Sequence, residues 1–440
     1  MNLRRWLTPG IGVKRWLLVV FAGLLLLAMA FAHLIRQLGA ELHPTGGVAT
    51  LIDALTLQFL PYALRGAIVG GAGVLLVVVG AVGVVRAFTD PLRSADPTQP
   101  LVELMFQRRA LARGPRIVAI GGGTGLSMLL RGLKERTSHL TAIVTVADDG
   151  GSSGVLRDQL GIPPVGDIRN CIVALADTEP LMQELLQYRF PSGTDDDGTG
   201  LGGHAVGNLL IAAMTAVEGG DFEEGVRRIN RILAVRGQVL PASATPLTLH
   251  AALSDGRIVD GQSQIMRASG IDRVWLTPTD VPPSEDALAA IADADLVVLG
   301  PGSLYTSLLP SLLIPGIRDA LMATTATKVF VCNVATQEGE TAGFDLAAHV
   351  EALVAHTRPG ILDAVIANTR LDARVPPNWG AETVRLRWPP AIDAVPDLIL
   401  REVVDLENAH HHDPERLAEA VIGVLDRVPA TTRRAVGRIA

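Results

Sequence analysis

Five short runs of mostly β-branched, apolar residues recur after residue 115, and each gives way to glycine, aspartate, asparagine, serine or threonine. They are Arg116–Ile120 (RIVAI) before GGGTGLS, Thr141–Val146 (TAIVTV) before ADDGGSSG, Leu296–Leu299 (LVVL) before GPGSLYTS, Lys328–Cys332 (KVFVC) before NVATQEGET, and Ala364–Ala367 (AVIA) before NTR. Helical patterns such as LSMLLRGLKER separate them. A strand that is apolar throughout, rather than at alternate positions, is buried on both faces, which is the habit of parallel strands covered by crossover helices. The expected fold class is therefore α/β, a Rossmann-like three-layer sandwich with a mainly parallel sheet. Ligands of open α/β sheets sit outside the carboxyl ends of the strands. Five polar strand-ends on one edge predict a pocket there, with TVADDGGSSG (Thr145–Gly154) as one wall.

Composition adds a second expectation. Of the 440 residues 48% are apolar and 19% charged, and much of the apolar excess lies in two uncharged runs, Trp16–Ile35 and Gly66–Val85. Each has about the length needed to cross ~30 Å of hydrocarbon as helix, and neither shows a polar face. No small-residue cleavage site closes the first run, so a removed leader is the weaker reading. Arg4, Arg5, Lys14 and Arg15 precede the first run, while Arg86, Arg93, Arg108, Arg109, Arg113 and Arg116 follow the second. The positive-inside rule then predicts a two-pass protein of the cell membrane with both ends, and its main domain, in the cytoplasm. The expected organisation is a transmembrane hairpin anchor over 1–90 (helices about 16–35 and 66–85), a Pro-punctuated, basic juxtamembrane linker over 91–114, and one globular body over 115–440. Gly66 and Gly70 are spaced to let the two helices approach closely. GTDDDGTGLGG (Gly193–Gly203) reads as a mobile loop. A net charge of −7 argues against nucleic acid as a partner. Cys171 and Cys332, without CxxC spacing, suit a reducing compartment rather than a disulfide or zinc framework.

Within the globular body, GGGTG (Gly121–Gly125) stands between a strand and a helix, where backbone N–H groups and a helix N-terminus can cradle a phosphate. It is not the complete dinucleotide fingerprint, because the third glycine position is Leu126. No G-K-[ST] follows, which excludes a Walker A loop. GPGS (Gly300–Ser303) is a second candidate phosphate loop. Asp148 and Asp149 admit three roles: holding a ribose hydroxyl, holding Mg²⁺ against a diphosphate, or capping the helix that follows. GDIRN (Gly166–Asn170) offers Asp167, Arg169 and Asn170, as part of a site or as a salt-bridged loop. The HHHD run, 410–413, is a poor metal site because adjacent side chains diverge, whereas Asp413-Pro414 reads as an N-cap followed by proline at the first helical position.

Taken in order, IGGGTGLS, TVADDGGSSGVLR, PPVGDIRN, LGGHAVGNLL, LPASATPLTLH, GPGSLYTS and VCNVATQEGET resemble the gluconeogenesis-factor (YvcK-like) branch of the CofD-like family, over almost all of the chain after Arg116. The family's other branch, 2-phospho-L-lactate transferase, uses Mg²⁺ to move a phospho-group from a nucleotide diphosphate donor to an acceptor hydroxyl. The resemblance implies a nucleotide-diphosphate ligand, a UDP-N-acetylglucosamine-type nucleotide sugar above all, and a part in regulating cell shape, wall growth and carbon metabolism. It places phosphate and nucleotide binding on Gly122, Gly123, Thr124, Gly125, Asn208, Gly302, Ser303, Tyr305 and Asn333, and metal binding or catalysis on Asp148 and Asp149. His204 lies near Asn208, either in the pocket or as a buried histidine satisfied locally. Trp379 and His411 stand where related chains often carry Tyr and Arg, which bears on nucleotide choice; Trp379 could stack on a base.

The residues include no Ser-His-Asp order, no G-x-S-x-G and no reactive-looking cysteine. Two functional classes stay open, a regulatory nucleotide-sugar binder and an Mg²⁺-dependent phospho-group transferase, with an NAD(P) oxidoreductase behind both. Mg²⁺ is the one cofactor the motifs suggest, with no tightly bound organic cofactor expected. A homodimer is among the possible assemblies.

Overall fold

A computed structural model of the chain describes residues 13–38, 61–89, 109–177, 180–191, 200–372 and 380–426. The chain divides into two units, Met1–Ala110 and Leu111–Ala440. That division falls inside the stretch read as a linker, of which residues 91–108 lie outside the described residues, as do Trp379 and residues 193–199 of the glycine- and aspartate-rich loop.

The first unit contains two helices, α1 (Val13–Leu38) and α2 (Tyr62–Thr89). Both expected helices are therefore present, but their expected setting is not. Among the described residues no helix is long and apolar enough to cross a membrane. The transmembrane hairpin, and with it the two-pass placement in the cell membrane, is corrected to a packed helix pair. The length of an apolar run does not say what covers it, and part of the surface assigned to lipid is here covered by the other helix. A Cβ on Gly23 would lie 2.8 Å from Val77 Cγ2, and one on Gly73 2.9 Å from Leu27 Cγ. The close approach thus uses Gly23 and Gly73, whereas a Cβ on Gly70 would make only ordinary contact with Ala30, at 3.8 Å.

In the second unit the apolar runs become the centre of a sheet. Strands β1 (Ile117–Gly121) and β2 (Leu140–Val144) are buried at every position, as their unbroken apolar patterns require. With β3 (Gln238–Pro241), β7 (Leu296–Leu299), β8 (Thr327–Val331), β9 (Ala364–Asn368) and β10 (Asp397–Arg401) they form a seven-stranded sheet in the order β10-β9-β8-β7-β1-β2-β3, parallel at every pairing. This bears out the α/β, Rossmann-like reading. The chain moves outward from β1 to β3 on one side, then returns to lay β7 against β1 and moves outward on the other. Ile117 pairs with Leu140 on one flank and with Leu296 on the other. Connections leave β1 and β7 in opposite directions, so a crevice opens between their carboxyl ends. Both glycine-rich loops begin there.

A second sheet, β5-β4-β6 (Ile258–Asp260, Thr248–Leu253, Ile271–Thr277), is antiparallel. Its β4 alternates half-buried and buried residues, the mark of a strand with one covered face. None of the five apolar runs in the sequence corresponds to β3, β10 or this small sheet. β3 is four residues ending in proline and β10 is a largely exposed edge, so neither carries a long apolar run.

One glycine sets the approach of two helices in this unit. Helix α3 (Gly123–Leu133) follows β1, and a Cβ on its Gly132 would lie 1.9 Å from the Pro414 carbonyl oxygen of the last helix, Pro414–Leu425. Only a hydrogen permits that backbone approach. Gly423, in the same last helix, has nothing within 4 Å of its would-be Cβ. Gly132→Ala should cost about 2 kcal/mol by forcing the helices apart. Gly423→Ala should add about 0.5–1 kcal/mol through helix propensity. Urea denaturation of the two variants checks the opposite signs. Asp413 caps the last helix as expected, accepting the Glu415 and Arg416 N–H groups at 2.9 Å, with proline next in sequence.

Candidate functional site

The crevice between β1 and β7 is a cleft of about 560 Å³. One wall is the loop after β1. Gly122 stands at the N-cap of α3 and has no side chain to satisfy the first-turn N–H groups, and Thr124 and Gly125 of that turn line the cleft. Gly123 has φ +65°, a conformation glycine adopts without strain. A Cβ on Gly122 would lie 2.4 Å from Asp167 Oδ2, and one on Gly125 2.8 Å from the Pro301 carbonyl oxygen. The glycines are thus set by contact as well as by conformation: the first loop rests on an acid and abuts the second loop.

The second wall is the loop after β7, with Gly302 and Ser303. Asn333, at the end of β8, grips Gly302 from both sides: its Nδ2 donates to the Gly302 carbonyl at 3.0 Å, and its Oδ1 accepts the Gly302 N–H at 3.2 Å. Gln337 Nε2 donates to Ser303 Oγ at 2.7 Å. The chain then enters a π-helical turn, Leu304–Leu308. Buried Glu340 holds that turn, accepting the Tyr305 N–H at 3.1 Å and the Thr306 hydroxyl at 2.5 Å. Burial pushes the Glu340 carboxyl above its ordinary range, with the hydrogen bonds opposing.

The floor is acidic. Asp148 accepts the Gly150 N–H at 2.9 Å, and burial pushes its carboxyl upward. Asp167, on helix α5 (after α4, Gly151–Leu160; α5 is Gly166–Leu175), accepts the Gly123 N–H. Burial, helped by the nearby charge of Asp148, raises its carboxyl from 3.8 to about 7. Behind this floor lies a buried polar cluster. Arg169 donates to Asn208 Oδ1 at 3.0 Å and to Asn170 Oδ1 at 2.8 Å, Asn208 Nδ2 donates to Ser152 Oγ at 2.9 Å, and Ser152 Oγ lies 3.0 Å from His204 Nδ1. GDIRN is therefore held by amide contacts rather than by a salt bridge.

Of the residues singled out from sequence, Gly122, Gly123, Thr124, Gly125, Asp148, Gly302, Ser303 and Asn333 line the cleft, and so does His411. Three do not. Asp149 turns away to accept the Ser263 N–H at 2.8 Å, so the paired acids do different work, and neither is the cap of α4, which is Gly150. Asn208 and His204 are buried in the cluster behind the floor. Tyr305 is 2% exposed, its ring edge-on to His356 and Phe344 at centroid distances of 5.6 and 6.4 Å. Asp167, Gln262, Met266, Ser307, Gln337, His410 and His412 also line the cleft. Asp167 is named in the GDIRN motif and Gln337 lies inside a quoted one, but nothing local marks Gln262, which opens the short helical turn between β5 and β6. His412 is buried with its Nε2 3.2 Å from the Cys332 carbonyl oxygen, and burial lowers its imidazole to about 4, so it is neutral at pH 7. Both cysteines are buried, with thiols pushed up by desolvation.

Among the described residues no group of three or more His, Cys, Asp or Glu side chains could hold a metal ion. Asp148 and Asp167 still suit Mg²⁺, which is commonly held by one or two carboxylates together with substrate phosphates. Two desolvated carboxylates beside N–H groups that favour an anion are an arrangement a divalent cation would reconcile.

A family model described as 2-phospho-L-lactate transferase CofD matches residues 117–383. The gluconeogenesis factor of Halalkalibacterium halodurans is 52% identical over 253 residues, covering 57% of this chain and 77% of that one. The gluconeogenesis factor of Bacillus subtilis is 50% identical over 260 residues, 59% of this chain and 80% of its own. A crystal structure of a Bacillus halodurans protein, 43% identical, superposes with a TM-score of 0.64 over 70% of this chain and 99% of that chain.

Proposed function

This chain belongs to the CofD family, in its gluconeogenesis-factor branch, and from that premise we propose that its cleft binds a nucleotide sugar of the UDP-N-acetylglucosamine type and reports the ligand's level to carbon metabolism, cell shape and wall growth. One observation carries the reading: two glycine-rich loops, far apart in sequence, abut at the crevice between β1 and β7 above a pair of carboxylates. The loops offer N–H groups and a helix N-terminus to a diphosphate. Asp148 and Asp167 would hold Mg²⁺, which would neutralise the diphosphate they otherwise repel. The remaining lining mixes carboxamides with Val334, Ala335 and Met128, surfaces suited to a sugar and a base.

The transferase reading draws on the same groups, with the first-loop N–H groups placed to stabilise charge developing on a transferred phospho-group. Turnover of a nucleotide diphosphate donor with an added alcohol acceptor would favour that reading.

The binding reading predicts a larger concentration-dependent rise in melting temperature of the full chain with UDP-N-acetylglucosamine and Mg²⁺ than with NADP and Mg²⁺. Both ligands carry a diphosphate, but the position a dinucleotide site gives to its third glycine is Leu126, fully buried. Ligand at 100 times its Kd should add about 2.7 kcal/mol. Equal or greater stabilisation by NADP at matched concentration would overturn the preference.

A further inference from the structure

Two carboxamides of the cleft are tied down by their nitrogen ends alone. Gln262 is 7% exposed and its Nε2 donates to the Thr306 carbonyl at 3.0 Å. Gln337 Nε2 donates to Ser303 Oγ at 2.7 Å. The Oε1 atoms of both are buried without a hydrogen-bond partner, and both residues line the cleft. Turning the Gln262 amide over to serve its oxygen would set that oxygen against the Thr306 carbonyl, so this residue is held as an acceptor. A buried carbonyl oxygen with no donor is costly. Both glutamines are anchored on the second-loop side of the cleft, at Ser303 and at Thr306. N–H groups at the first glycine loop suit an anion, whereas bare carbonyl oxygens repel an anion and suit O–H or N–H groups.

The placement of Gln262 is enforced by Asp149, from outside the cleft. Gln262 follows Gly261, whose φ of +87° favours glycine and whose would-be Cβ lies 1.9 Å from Asp149 Oδ2. Asp149 Oδ1 accepts the next N–H, that of Ser263, at 2.8 Å. The second acid of the pair thus pins the turn that presents Gln262 to the cleft.

We propose that Gln262 and Gln337 form an acceptor pair that reads the hydroxyl or N–H donors of the group attached to the diphosphate, discriminating nucleotide sugars from bare phosphates. This rests on the nucleotide-sugar reading and names what selects within it. The donors can come from the sugar or from the nucleoside, and the experiment separates the two.

Affinities of the full chain for UDP-N-acetylglucosamine, UDP and pyrophosphate, all with Mg²⁺, are measured by calorimetry for the unaltered protein, Gln262→Met, Gln337→Met and Gln337→Glu. Each methionine variant should weaken UDP-N-acetylglucosamine about 10-fold or more while leaving pyrophosphate within about 2-fold. Loss confined to UDP-N-acetylglucosamine places the donors on the sugar, and an equal loss for UDP places them on the nucleoside. Gln337→Glu keeps an acceptor that the Ser303 hydroxyl can serve. It should retain the preference for the nucleotide sugar over pyrophosphate, which a merely structural role for Gln337 does not require. Unchanged ratios in the methionine variants, or equal losses for all three ligands, would overturn the inference while the proposed function stands. Failure of the unaltered protein to bind either UDP compound would overturn the proposed function and this inference together.

Discussion

Asp167→Asn should make the unliganded protein more stable above neutral pH and, in the same molecule, a poorer binder of nucleotide sugar. An unfolded Asp titrates near 4, and here burial raises the carboxyl to about 7. Between those values the folded state keeps a proton that the unfolded state has lost. The group's contribution to stability is therefore complete below about pH 4, falls as pH rises, and is gone once pH passes about 7. Asparagine has no such titration and can still accept the Gly123 N–H. At pH 8 the variant should exceed the native protein by about 2 kcal/mol, after allowance for solvent reaching a half-buried group. At pH 4 the two should coincide. Binding should move the other way: in Mg²⁺ the nucleotide sugar should weaken about 100-fold, and the dependence on Mg²⁺ should largely disappear. Denaturation at the two pH values with calorimetry at pH 8 tests both arms. A variant less stable than native at pH 8 would show that the buried charge is compensated within the protein itself. The expected combination, stability gained and function lost, marks a group kept strained for its ligand.

Gly125→Ala should weaken the same ligand about 100-fold by a different route. Gly125 does not have positive φ, so its substitution tests contact alone. The new Cβ would lie 2.8 Å from the Pro301 carbonyl oxygen and 3.0 Å from Gly302 Cα, both backbone atoms with no freedom to rotate aside. The two loops must separate by several tenths of an ångström, and Asn333, gripping Gly302 from both sides, resists their separation. N–H groups set for one diphosphate geometry then miss it, and stability falls by about 1–3 kcal/mol. Native-like affinity in a folded Gly125→Ala protein would show that the loops do not form a shared phosphate cradle.

The residues most easily read from the chain were those whose role is local. Unbroken β-branched runs identify buried parallel strands wherever they lie, because side-chain periodicity against water is a property of a few consecutive residues. The Asp413-Pro414 cap, the glycines of both loops and their place after strands follow from backbone conformation and turn chemistry of the same short range. Those local signals, taken in order, were also enough to indicate the family. What they could not convey was direction and partnership. Asp148 and Asp149 are adjacent and chemically alike, yet one faces the cleft and the other holds Ser263, more than a hundred positions away. Asn208 and Tyr305 sit in family-like motifs but are drawn into buried contacts with Ser152 and with Phe344 and His356. Gln262 enters the cleft only because a small antiparallel sheet and Asp149 carry it there. The two apolar helices near the start show the same limit: hydropathy described their surfaces, and packing through Gly23 and Gly73 decided what part of them the other helix covers. Local sequence is enough for the five unbroken apolar strands, the glycine loops and the Asp413-Pro414 cap, because energies acting over a few residues settle them; it does not mark β3, β10 or the small antiparallel sheet. Tertiary structure alone decided that β7 lies against β1, that two distant glycine loops meet, and which acid faces the ligand, because those outcomes depend on contacts between residues that the chain brings together only when it folds.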